Sequence, residues 1–218
     1  NENNLSKAYD YFKISSEKYN FANAHEMLGI MYSNSIYVSQ NYEKSNYYLE
    51  KAINEKNFAS YGILSDNYYF QGDWDKAELY AKKCIDFYDN TKIYATKKNQ
   101  ISCTYDLAWF LSNHNMSDER NVEAINLYKS IEQVDVRAAI NLAYFYSDPM
   151  DARQIEINLL SKFDYFKSNY DKGLLSAELA DHYNHIVKPK SAIKYANDSI
   201  NFFQLARENS KTKYLEDI

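Results

Sequence analysis

The sequence is poor in the residues that interrupt helices. Its 218 residues include only 4 Gly and 2 Pro, which disfavours strands joined by tight turns and favours helices with short connections. The 2 Cys are too few to identify a redox compartment. No run of about 18 apolar residues occurs, the length needed to cross a membrane. The sequence therefore predicts a helical protein without a membrane span.

Basic residues are outnumbered by acidic ones. The chain has 25 Lys and Arg against 30 Asp and Glu, for a formal net charge of −5. Nucleic acids and anionic membranes attract a basic surface, so we expect neither as a partner. The 45% hydrophobic content allows a substantial core. The sequence leaves localisation open between the cytoplasm and, after processing, the periplasm or the exterior.

One phrase of sequence recurs five times along the chain. It consists of a small residue, three others, Leu, a small residue, two others and a large residue, as in Ala24 to Tyr32. The fifth copy lacks the leading small residue. A period of 35 to 43 residues between the leucines indicates a stacked array of helical repeats. The anchoring leucines are Leu28, Leu64, Leu107, Leu142 and Leu179.

A second phrase follows each copy of the first. Small residues stand seven positions apart with an apolar residue between them, as in Ser45, Leu49 and Ala52. Such residues share one helix face, where a neighbouring helix can approach closely. We expect one domain over 1–218, with about five helix pairs in 18–208, a half repeat at 5–17 and a C-terminal helical extension. The later copies begin at Ala77, Glu123, Gln154 and Ala192.

These registered positions resemble tetratricopeptide repeats and the related Sel1-like repeats. The spacing of Leu64, Tyr68, Ala77 and Cys84 is similar to a tetratricopeptide unit, and residues 24–52 look more like a Sel1 unit. The resemblance implies an all-α, right-handed superhelical solenoid of antiparallel helix pairs. It implies a protein-binding or peptide-binding scaffold with no enzymatic activity and no cofactor.

The resemblance also implies a concave groove lined by the first helix of each pair. The family's groove positions lie two before, two after and five after the anchoring leucine, and a further position five before it holds one cation. The resulting strip is aromatic and acidic, and it either contacts a partner or packs between neighbouring helices. The expected partner-binding residues are Asp66, Tyr69, Tyr105, Trp109, Arg137, Tyr144, Asp181 and Asn184.

Few residues suggest catalytic or metal chemistry. His182 and His185 are three apart and could share a metal, but beyond Asp181 no further ligands are apparent nearby, so a polar helix end is favoured. No nucleophile elbow, phosphate-binding glycine loop or zinc-protease motif occurs. We therefore expect no catalytic residues and no metal.

Cys84 and Cys103 both occupy small-residue positions, on successive helices that should pack antiparallel. In an oxidising compartment they could form a disulfide. The sequence favours the alternative, in which two buried free thiols act as small apolar fillers.

Two more specific functions fit the resemblance. The first is a bacterial protein that neutralises an effector or acts as an adaptor, to which the acidic surface would bring a basic partner. The alternative is the sensor domain of a peptide-responsive regulator that lacks its DNA-binding part.

Overall fold

The computed structural model describes residues 2–90, 97–114, 116–147 and 152–216. Within these ranges all regular structure is helical, as the sequence predicted. No helix there is both long and apolar enough to cross a membrane. The helices are α1 Glu2–Tyr19, α2 Ala22–Ser33, α3 Tyr42–Asn54, α4 Ser60–Phe70, α5 Trp74–Asn90, α6 Lys97–Asn113, α7 Asp118–Ile131, α8 Val136–Phe145, α9 Ala152–Ser161, α10 Asn169–His185 and α11 Pro189–Glu216.

The contacts divide the chain within α7 into a first unit, Asn1–Ala124, and a second unit, Ile125–Ile218. In the first unit each helix from α1 to α5 packs on the next, and α4 also contacts α2 and α6. In the second unit α8, α9 and α10 contact one another, and α11 packs on α10. The first helices of successive pairs are thus neighbours within each unit. The expectation of one domain over 1–218 stays a prediction.

The repeated leucines form the core, as the period predicted. All five are at most 3% exposed, and they come from the first helix of each pair, α2, α4, α6, α8 and α10. Full burial of a leucine contributes roughly 2 kcal/mol. The repeated leucine of the sequence therefore marks a buried position in the first helix of each pair.

Small residues allow close packing within the pairs. A Cβ on Gly29 would lie 2.6 Å from Leu49 Cγ, and one on Gly173 would lie 2.7 Å from the Phe203 ring. At both crossings a serine hydroxyl on the second helix also donates to the glycine carbonyl, with Ser45 Oγ 2.7 Å from Gly29 O. The absent side chain thus lets the second helix approach until its serine hydroxyl reaches the glycine carbonyl.

The predicted register of the second phrase is wrong by one residue in two helices. In α7 the predicted positions Glu123 and Ser130 are exposed, whereas Ala124 and Tyr128 are fully buried. In α9 the predicted positions begin at Gln154, whereas the buried residue is Leu159. In both helices the buried side chains are apolar or aromatic residues of the adjacent register, and spacing alone does not distinguish the two registers.

A glycine and a proline mark the starts of two helices. α5 begins at Trp74 after Gly72, whose φ of 78° suits glycine. α11 begins at Pro189, as expected for a proline in a first turn. α1 extends beyond the predicted half repeat at both ends. A helix start is also expected near Asp148 and Pro149, because proline suits the first turn and Asp can cap it, but these two residues lie outside the described part of the chain.

His25 is a buried polar residue between α1 and α2. It is 0% exposed, with Nδ1 2.8 Å from Ser16 Oγ and Nε2 2.9 Å from Asn20 Oδ1. Because an amide oxygen only accepts, Nε2 donates to Asn20 and Nδ1 accepts from Ser16. Burial, followed by the nearby Lys51, lowers the pKa of His25 from its ordinary value of 6.5. The folded first unit therefore holds this imidazole neutral.

We expect the first unit to lose stability as the pH falls below about 6.5. The unfolded chain then binds a proton that the buried imidazole resists, so acid favours unfolding. Thermal unfolding followed by tryptophan fluorescence between neutral and mildly acidic pH measures this, because both tryptophans, Trp74 and Trp109, lie in the first unit. His25→Gln should flatten the pH dependence. His185→Gln, at an exposed site in the second unit, should leave it unchanged, and an equal slope in all three proteins would contradict the assignment.

Candidate functional site

A cleft lies between the first helices α4 and α6 of the first unit, and we call it the α4–α6 cleft. It has a volume of about 240 Å³. α4 contributes residues three and four apart and α6 contributes the facing residues, so each helix presents one side to the cleft. Four of the predicted groove residues therefore meet here. The lining residues are Asp66, Tyr69, Phe70, Tyr105, Asp106, Trp109 and Phe110.

One wall of the α4–α6 cleft is a packed aromatic cluster centred on Tyr69. Its ring lies edge-on to Trp74 and to Trp109, at centroid distances of 5.0 and 5.1 Å, and 5.5 Å from Phe110. The Trp74 indole stacks on His114 at 4.7 Å. Edge-on and offset rings are the favoured aromatic geometries. Tyr69 and Trp109 stay half-buried, so the wall is both supported from behind and accessible from the cleft.

A second cleft of about 250 Å³ adjoins the first and shares Asp66 and Asp106 with it. Its remaining wall includes Glu26 of α2, Gly62 of α4 and the two cysteines. Glu26 Oε2 accepts a hydrogen bond of 2.9 Å from Asn57 Nδ2. The two adjoining clefts therefore present three carboxylates beside the aromatic wall.

Cys84 and Cys103 form a disulfide, with Cα atoms 6.1 Å apart. Both residues are buried, at 1% and 4% exposure. The free-thiol alternative that the sequence favoured is not the arrangement in the structure, because the antiparallel packing of α5 and α6 brings the two small-residue positions face to face. The disulfide joins α5 to α6, the helix that carries Tyr105 and Trp109.

The second unit has its own cleft between α8 and α10, of about 440 Å³. Tyr144 on α8 donates a hydrogen bond of 2.6 Å to Glu178 Oε1 on α10. Burial, reinforced by that carboxylate, raises the pKa of Tyr144 far above its ordinary value, so the phenol remains a donor. Asp181 lies on the same cleft and is 3.3 Å from His185 Nδ1. We call this the α8–α10 cleft.

Two predicted groove residues do not line the α8–α10 cleft. Arg137 instead turns back to the helix start, where its guanidinium contacts Asp135 Oδ2 at 2.6 Å. Asp135 also accepts from the backbone N–H of Arg137 and so caps α8. Asn184 is exposed near the end of α10 and lies outside the cleft lining.

His182 is buried, whereas the sequence favoured a polar helix end for His182 and His185. It is 6% exposed, and its Nε2 has no hydrogen-bond partner among the described residues. His185, one turn on, is exposed and its Nδ1 contacts Asp181. In the described part of the chain no three His, Cys, Asp or Glu side chains are placed to hold a metal ion.

Sequence reasoning missed three residues that line the α4–α6 cleft, Phe70, Asp106 and Phe110, each of which is one residue from a predicted groove position. It also missed Trp74, which packs behind Tyr69. Trp74 was missed because it begins a second helix, whereas the groove rule considers only first helices. One signal in the sequence could have found Trp74, because Trp74 and His114 each follow the end of a first helix.

Comparison with known proteins adds to the geometry. No protein-family model and no curated protein matches the sequence. Among solved structures, the chain is similar to a Sel1 repeat protein from Oxalobacter formigenes, with a TM-score of 0.55 and 16% identity over 94% of this chain and 80% of that one. At this identity the likeness shows the fold alone, an array of helix pairs like that of the Sel1 repeat protein.

Proposed function

We propose that the chain is a non-enzymatic scaffold that binds a protein or peptide segment in the α4–α6 cleft. The observation that carries this proposal is the accessible aromatic wall of Tyr69 and Trp109 between neighbouring first helices. A protein-interaction scaffold is also the general role that this fold supports. The fold by itself does not specify a function, so the proposal rests on the cleft.

The aromatic wall has the properties of a binding hot spot. Tyrosine and tryptophan offer large contact areas with few rotatable bonds, so little conformational entropy is lost when a partner docks. Here the neighbouring rings also restrict Tyr69 and Trp109 before binding, since both contact Trp74 and Phe110. Such preorganisation increases affinity because the cost of ordering is already met in the free protein.

The size of the α4–α6 cleft favours a protein partner over a small molecule. Small-molecule sites usually have volumes of roughly 300–1,000 Å³ and enclose most of the ligand. At about 240 Å³ the cleft is smaller and suits one or two side chains of a larger partner. An extended segment could place one side chain here while the rest of its chain follows the neighbouring surface of the first unit.

More specific roles depend on which segment is bound. Neutralisation of a bacterial effector and an adaptor role both need a folded protein partner. The alternative, a sensor of a peptide-responsive regulator, needs a short peptide ligand. The aromatic wall supports both forms, and neither requires a metal, a cofactor or nucleic acid.

Replacing Trp109 with alanine is expected to weaken partner binding by about thirtyfold, the effect of losing a hot-spot residue worth about 2 kcal/mol. The partner would be captured from an extract of the source organism, identified, purified and titrated by calorimetry. Phe70→Ala, at a residue that is 65% exposed on the cleft, provides a second variant with less risk to folding.

The matched control for these variants is Tyr11→Ala. Tyr11 is 69% exposed on α1 of the same unit and lies away from the α4–α6 cleft lining. Its loss should leave the affinity unchanged. If Trp109→Ala and Phe70→Ala both bind the purified partner as tightly as the Tyr11 variant does, the α4–α6 cleft is not the docking site.

A further inference from the structure

We infer that the α4–α6 cleft receives a cationic side chain, an arginine or lysine, of a basic protein segment. This inference rests on the proposed function and adds the chemistry of the partner. It combines two features of one cleft, its half-buried aromatic faces and its two carboxylates. Neither feature alone selects a cation.

The aromatic wall supplies the first attraction. A guanidinium or ammonium group within about 6 Å of a ring centroid is drawn to the negative face of the ring, most strongly by tryptophan. Trp109 and Tyr69 both line the α4–α6 cleft, and their planes are at 87° to each other. A planar cation that enters the α4–α6 cleft can stack on the face of one of these rings. Stacking on tryptophan favours arginine over lysine, because the guanidinium is flat and weakly hydrated.

The carboxylates supply the second attraction. Asp66 and Asp106 line both the α4–α6 cleft and the adjoining cleft, where Glu26 adds a third acidic group. Asp66 and Asp106 also have interactions within the protein, so a cation would join carboxylates that are already partly ordered. Ionised acceptors bind a cationic donor about twice as strongly as neutral ones do. The same charges repel phosphate, which argues against a nucleic acid in this cleft.

The α8–α10 cleft of the second unit also holds an aromatic residue and carboxylates, with Tyr144 donating to Glu178 and with Asp181 in the lining. The net charge of −5 likewise favours a basic partner. A negative field of this kind also speeds the association of a basic partner.

The test uses the intact protein and two short, tryptophan-free synthetic peptides. One contains arginine, and in the other every arginine is replaced by citrulline, which has the same shape without the charge. Both tryptophans of the chain belong to the cluster around the α4–α6 cleft, so their fluorescence reports on this site. We expect a saturable change with the arginine peptide and at least about tenfold weaker binding of the citrulline peptide. Raising the salt concentration from about 0.05 M to about 0.5 M should weaken the binding of the arginine peptide and leave the binding of the citrulline peptide unchanged.

Charge-removing variants locate the effect. The double variant with Asp66→Asn and Asp106→Asn should bind the arginine peptide about tenfold more weakly. Glu123→Gln, which removes one exposed charge from the same unit, should change nothing. Asp66→Asn alone serves if the double variant folds poorly, as judged by circular dichroism, because Asp66 is exposed.

The possible failures of the two proposals are distinguishable. Equal binding of the two peptides, or no binding of either, overturns the preference for a cation. Equal affinity in the charge-removing and Glu123 variants also overturns it. The proposed function would still stand if Trp109→Ala released the purified partner. If that variant and Phe70→Ala both retained the partner as well, both proposals would fail.

Discussion

Replacing Asn67 with alanine is expected to lower the free energy of unfolding of the first unit by about 4 kcal/mol. Asn67 is fully buried in α4, where its amide connects three helices. Its Oδ1 accepts from Ser33 Oγ of α2 at 2.6 Å, and its Nδ2 donates to Ser45 Oγ and Asn46 Oδ1 of α3 at 2.8 and 2.7 Å. The expected effect is large because the alanine breaks all three bonds at once.

The cost comes mainly from the groups left behind. Without Asn67, the hydroxyl of Ser33 and the amide oxygen of Asn46 lose their partners, and both residues are at least nine-tenths buried. An unsatisfied buried polar group costs about 1–3 kcal/mol, and the vacated volume adds a cavity term. Urea unfolding followed by the fluorescence of Trp74 and Trp109 measures the loss, because both residues lie in the same unit.

The control for Asn67→Ala is the same substitution at Asn54, which is exposed at the end of α3 in the same unit. Asn54→Ala should shift stability by no more than about 0.5 kcal/mol, as surface substitutions do. Similar losses in the two variants would mean that the buried network does not contribute as the structure indicates.

Removing the disulfide with Cys84→Ala and Cys103→Ala should cost the first unit about 3 kcal/mol. The bond closes a loop with a sequence separation of 19, and a loop of that length restricts the unfolded chain by about this amount at 25 °C. For a cooperative unit of this size the midpoint of thermal unfolding should fall by roughly 10 °C. Because α6 carries Tyr105 and Trp109, the loss should also loosen one side of the α4–α6 cleft.

A reductant separates the effect of the bond from that of the two side chains. It should lower the unfolding midpoint of the natural sequence towards that of the double variant and leave the double variant unchanged. Because both cysteines are buried, reduction should proceed slowly until the unit opens. The unmutated protein would also be taken through repeated cycles of unfolding and refolding in reductant. If its unfolding midpoint then stays the same, the bond does not contribute to stability.

The fold could be predicted because its signal is local. The five leucines recur at a period of 35 to 43 residues and all five are buried, as are the small residues that follow the first four of them. The register of α7 and α9 could not be predicted in the same way. There, two adjacent faces both carry apolar residues, and contacts with other helices determine which face is buried.

The candidate site was only partly predictable. The family's groove rule found Asp66, Tyr69, Tyr105 and Trp109, which the structure brings into one cleft. It missed Asp106, because the rule admits fixed positions and cannot include a residue one place away on the same exposed side. The prediction also included Arg137, from the further position five before the leucine, and its guanidinium contacts Asp135 at the start of its own helix.

The sequence by itself determined the all-helical repeat, its period and the five leucines of its core, because these depend on spacing along one helix at a time. Only the tertiary structure decided which distant side chains meet. It joined Cys84 to Cys103, placed Trp74 beside Trp109, and brought Asn67 to the hydroxyls and amide of two other helices. Such pairings depend on how neighbouring helices are rotated and shifted against each other, and that packing is set by all of their contacts together.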